Sequence, residues 1–83
     1  MAREIYQVHP FTVRPLLRRH AKRDVQFQME RLEREGQIEP VCVKPPVMGQ
    51  YEMDVDHPDY FYWSPEIVEA AVRLGWETIL VTY

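Results

Sequence analysis

Apolar residues recur along this chain in two rhythms, one spaced for helices and one for strands. Val25, Met29 and Leu32 lie at i, i+4 and i+7, which predicts a helix over residues 25–35 with one apolar face. The opposite face is charged and carries Glu30 and Arg34 as an i,i+4 pair. Asp24 stands where an N-cap belongs, and Gly36 where the helix stops. The second helical rhythm is Ile67, Ala71 and Leu74, broadened by Val68. Here Ser64 is the predicted N-cap, Pro65 the first helical residue, Glu66 an acid at the positive end of the dipole, and Gly75 the stop. Strands are predicted at 4–8 (Ile5, Tyr6 and Val8 inward), 38–43 (Ile38, Val41, Val43) and 78–83. Another is predicted at 50–55, where Tyr51, Met53 and Val55 alternate with Glu52 and Asp54. A basic connector at 14–23, a proline turn at 45–49 and a loop at 56–63 join them. The order β, connector, α, β, β, loop, α, β predicts a single α+β domain over residues 1–83, a small mixed sheet with two covering helices.

At 83 residues, 46% of them hydrophobic, the chain is long enough for one core and too apolar for wholesale disorder. No apolar run reaches membrane-spanning length, and the N-terminus lacks the apolar centre of a signal peptide. Pro10 and Pro15 interrupt the amphipathic helix that a transit peptide requires. The one cysteine, Cys42, excludes an internal disulfide and a thiolate metal site. A reducing, cytoplasmic setting is the expectation.

The net charge of −3 is unevenly spread. Residues 1–23 hold six Lys/Arg against one acid, whereas residues 45–83 hold seven acids against one arginine. The whole is too acidic for a general nucleic-acid binder, but Arg14, Arg18, Arg19, Lys22 and Arg23 form a candidate phosphate or nucleic-acid contact. Opposite charge at the two ends also suits homo-oligomerisation or docking on a charged partner. Tyr60-Phe61-Tyr62-Trp63 is the candidate protein-partner contact. Four adjacent aromatics cannot all face inward from an extended strand, and no basic residue is interleaved to favour nucleic acid. Asp54, Asp56, His57 and Asp59 carry metal-ligand chemistry, but the glycine and terminal glutamate of a calcium loop are missing. They read as a polar loop, and no metal or catalytic group is assigned.

Three segments carry a family resemblance. His9-Pro10-Phe11-Thr12-Val13-Arg14 resembles the Asn-Pro-Tyr-Gln-Pro-Arg box of ParB-type proteins. Gly36-Gln37-Ile38-Glu39-Pro40-Val41-Cys42-Val43 resembles the Gly-x-x-x-Pro-[Ile/Val]-x-Val strand after that family's first helix. Ala70-Ala71 through Gly75-Trp76-Glu77-Thr78-Ile79 resembles the end of its second helix and the next strand. Together they span nearly the whole chain, which is therefore similar to the ParB/sulfiredoxin-like domain.

The resemblance implies that fold, with Arg14 as the box arginine. It also implies a nucleotide-phosphate site at the start of the second helix, where the family carries a Gly-Glu-Arg-Arg-x-x-Ala box. Here Ser64, Pro65, Glu66 and Ile67 occupy those positions, so an acid and a hydrophobe replace the arginine pair. The helix-turn-helix region of partition proteins is also missing. The expectation is a small stand-alone binding or regulatory module, without cofactor and non-catalytic, acting in DNA transactions of a plasmid or phage. Two alternatives remain open: a metal-dependent nuclease or nucleotide hydrolase with a rearranged site, and a protein-interaction inhibitor using the aromatic loop.

Overall fold

A computed structural model of the chain describes residues 4–14, 22–37 and 39–83. The elements in order are β1 (Ile5–Val8), a 3-10 turn (Pro10–Thr12), β2 (Val13–Arg14), α1 (Lys22–Glu35), β3 (Val41–Cys42), β4 (Tyr51–Glu52), α2 (Ser64–Arg73) and β5 (Ile79–Thr82). The expected α+β architecture is present, with its strands divided between two sheets. β5 is the centre of a three-stranded mixed sheet, antiparallel to β1 and parallel to β3. β2 and β4 form a two-stranded parallel pair. An antiparallel bridge from Val43 to Met53 connects the two sheets.

β1 ends where the residue before a proline must be extended. His9 has φ −68° and ψ 134°, and its Nδ1 accepts the Phe11 N–H at 3.2 Å. The core is built from Val41, Val43, Ile79 and Val81 on the strands, with Val25 and Leu32 of α1 and Ala70 and Ala71 of α2. Cys42 is fully buried as well, so β3 is covered on both faces. The two helices pack on one another, and α2 also touches the 3-10 turn.

Several expected details are corrected. α1 begins at Lys22, which puts Asp24 in its first turn rather than at the cap. Ile5 is 52% exposed, while Tyr6 and Val8 are the half-buried residues of β1. The strand expected at 38–43 is confined to Val41–Cys42, and Ile38 lies outside the described residues. Below β3 the Gln37 amide takes over the pairing: its Nε2 donates to Leu80 O at 2.9 Å and its Oε1 accepts from Leu80 N at 2.7 Å. Val55, expected inward, is 51% exposed, because β4 ends at Glu52 and the chain turns into a loop soon after Met53.

Candidate functional site

The start of α2 is the place to look for an anion site, because unpaired N–H groups and the helix dipole converge there. Trp63, not Ser64, is the N-cap, and its side chain makes no capping bond. Ser64 is already helical, and its hydroxyl donates backward to Phe61 O at 2.6 Å. The Ser64 N–H goes to the same carbonyl at 2.9 Å, and Pro65 has no N–H to offer. The Ile67 N–H closes the first turn on Trp63 O at 2.9 Å. Ser64, Pro65, Glu66, Ile67 and Val68 are all buried, Glu66 with 2% of its surface exposed. A buried acid therefore stands in the first turn of α2, and the donors described around it are spent, absent or covered. At the other end the helix stops in a Schellman arrangement. Gly75, with φ +74°, donates to Val72 O, and Trp76 N–H reaches Ala71 O.

The basic candidates are spread over separate elements. Arg14 is exposed on β2 with Glu52 of β4 as its register partner. Arg23 is exposed in the first turn of α1, and Lys22 opens that helix. Arg18 and Arg19 lie outside the described residues. Arg14 lines a cavity of about 470 Å³ with Lys44, Pro45, Val47, Met48 and Tyr51. Sequence reasoning missed Lys44 as a second cation there, because the two meet only through the β2–β4 pairing.

The aromatic run divides by burial. Tyr60 and Phe61 are half-buried and pack against the core. The Arg31 guanidinium lies 5.7 Å from the centre of the Phe61 ring, within cation–π range. Trp63 is half-buried, with Tyr62 edge-on at 4.9 Å; Tyr62 alone of the four is exposed, at 63%. The acidic segment is held by local turns: Asp54 Oδ1 accepts the Asp56 N–H at 3.2 Å, and His57 Nδ1 accepts the Asp59 N–H at 3.0 Å. Among the described residues no three His, Cys, Asp or Glu side chains converge as a metal-binding group. A second aromatic group was not foreseen: Tyr6 and Tyr83 stack at 5.0 Å, with Tyr51 tilted 6.5 Å from Tyr83. The Tyr6 hydroxyl donates to Glu4, whose carboxylate, with Tyr83 beside it, raises the Tyr6 phenol above its ordinary pKa.

No family model and no curated protein matches the chain. Solved structures do. Sulfiredoxin from Arabidopsis thaliana superimposes with a TM-score of 0.71 at 22% identity, covering 94% of this chain and 81% of that one. The C-terminally truncated chromosome-partitioning protein ParB from Caulobacter crescentus, complexed with CTP-γ-S, gives 0.69 at 15% identity. That match covers 94% of this chain and 42% of the ParB chain. The chain thus has the ParB/sulfiredoxin-like fold. No described helix is long and apolar enough to cross a membrane.

Proposed function

We propose that this chain is a non-catalytic binding and regulatory module on the ParB/sulfiredoxin scaffold, acting in the cytoplasm in a DNA-linked process of plasmid or phage type. One observation carries the non-catalytic part: the first turn of α2 is filled by Ser64, Pro65 and a buried Glu66. Refilling it with a nucleotide phosphate would set the anion against a carboxylate in a dry environment, which is strongly unfavourable. The DNA-linked setting is supported by the likeness to a chromosome-partitioning protein. Contact with phosphates falls to Arg14 and Arg23 together with Arg18, Arg19 and Lys22 of the intervening segment.

Two measurements test this reading. Isothermal titration with CTP and with ATP, each with Mg²⁺, gives no binding heat; submicromolar binding of either overturns the non-catalytic reading. In gel shifts at two salt concentrations, Arg18→Ala/Arg19→Ala lowers both the affinity for duplex DNA and its salt dependence. A shift that is the same in the variant removes the basic segment from the interface. A protein-interaction reading is favoured by the exposure of Tyr62 in an otherwise half-buried aromatic run. It predicts that Tyr62→Ala weakens a partner complex while leaving DNA binding unchanged.

A further inference from the structure

The groove beside the 44–52 hairpin joins cationic and apolar side chains on one face. Its volume is about 470 Å³, and Arg14, Lys44, Glu52, Tyr51, Val47 and Met48 are among its lining residues. Glu52 is the register partner of Arg14 and lies 4.0 Å from Lys44. One acid therefore faces two cations, and the wall keeps a net positive charge. The lip is apolar. Val47 and Gln50 exchange both backbone hydrogen bonds at 3.0 Å, closing a two-residue turn. Both central residues have positive φ, Met48 at +53° and Gly49 at +76°, the pattern of a type I′ turn. Asparagine or glycine suits the first of them better than a long unbranched side chain. Met48 nevertheless stands there, 97% exposed, next to Val47 at 72%. The groove thus keeps an apolar side chain at its edge against the preference of the turn.

Tyr51 connects this groove to a second aromatic surface. It lines the cavity and lies 6.5 Å from Tyr83, tilted by 39°. Tyr83 is 43% exposed and stacks on Tyr6 at 5.0 Å, the two planes 9° apart. The Tyr6 hydroxyl donates to Glu4, which holds Tyr6 in place beneath its neighbour. A ring already held in a stack loses little side-chain entropy when another ring settles against it. Two cations alone serve any polyanion. The rings and the apolar lip beside them favour a polyanion that carries flat apolar groups along its length, and a duplex keeps those groups stacked inside. We propose that this face binds single-stranded DNA, its phosphates on Arg14 and Lys44 and its bases against Met48, Tyr51 and Tyr83. The proposal rests on the DNA-linked reading above and adds to it the form of the DNA and a place for its bases.

Fluorescence anisotropy with a labelled oligothymidylate of about 10 nucleotides, and with a mixed-sequence duplex, tests it. The single strand is expected to bind more tightly than the duplex. Arg14→Ala/Lys44→Ala lowers that affinity and reduces the slope of log affinity against log salt by about 1.4, the share of two phosphates on a single strand. Tyr83→Ala weakens binding about tenfold and leaves the salt slope unchanged, because it removes a ring rather than a charge. Met48→Asn also weakens binding while raising the melting temperature, which separates loss of contact from loss of fold. Glu52→Gln strengthens binding, since it removes the acid that faces both cations. A single strand that fails to bind overturns the proposal, as does binding that none of these variants changes. Thymidine monophosphate does not displace the strand; equal competition at the same phosphate concentration overturns the assignment to a strand. Duplex binding that depends on Arg18 and Arg19, with no single-strand binding, overturns the groove assignment and leaves the DNA-linked reading standing. Absence of both overturns that reading as well.

Discussion

Three side chains decide local questions that no periodicity could announce. Gln37 imitates a strand residue, offering one donor and one acceptor to Leu80 where β3 has not yet begun. Gln37→Ala leaves the Leu80 N–H and C=O without those part-buried partners and costs about 1–3 kcal/mol of stability in urea unfolding. Gln28 is the converse case, 2% exposed with Oε1 lacking a hydrogen-bond partner among the described residues. An apolar residue of the same shape removes that cost, so Gln28→Met raises stability by about 1 kcal/mol in the same experiment. Met48 holds a backbone conformation that asparagine adopts more readily. Met48→Asn therefore gains about 1 kcal/mol, seen as a higher melting temperature.

At the level of elements, the two helices and the strands at 4–8 and 78–83 were legible because their patterns repeat over enough residues to fix a face. β3 and β4 were legible only in part, since two-residue strands hold too few positions for period two to be read. The inward phase of β1 was misjudged at Ile5, because the burial of Tyr6 depends on Tyr83, at the far end of the chain. The start of α2 shows the same limit for the candidate site. Its composition disclosed an acid and a hydrophobe, Glu66 and Ile67, where the resembled box carries two arginines, but Ser64 acts as a donor to Phe61 O rather than as the cap because the helix begins one residue earlier than the serine rule places it. Rebuilding the element is correspondingly hard. Glu66→Arg/Ile67→Arg places two cations at buried positions and destabilises the fold by about 3–5 kcal/mol without producing nucleotide binding. Thermal melting with and without CTP checks both halves of that expectation.

On the scale of the whole molecule, β5 ties the chain's two ends together. Ile5 pairs with Thr82, and Val41 with Val81, so the strand formed last in sequence joins β1, β3 and the helices packed above them. Such a domain has no half that keeps its core when β5 is disturbed, and its unfolding is expected to be all-or-none. Stability at this length is about 4–12 kcal/mol. Ile79 is 1% exposed at the start of β5, and Ile79→Ala removes about 2–5 kcal/mol through lost transfer energy and the cavity left behind. That loss is a large part of the total, so the variant is expected to unfold at much lower urea with an unchanged slope. Trp63 precedes α2 and Trp76 precedes β5, both half-buried, so tryptophan fluorescence reports on two separate regions. Fluorescence and far-ultraviolet circular dichroism should then give one coincident transition in the parent and in Ile79→Ala. Separate transitions would mean that the α1–α2 layer survives without the sheet, and β5 would lose its place as the element on which the fold closes.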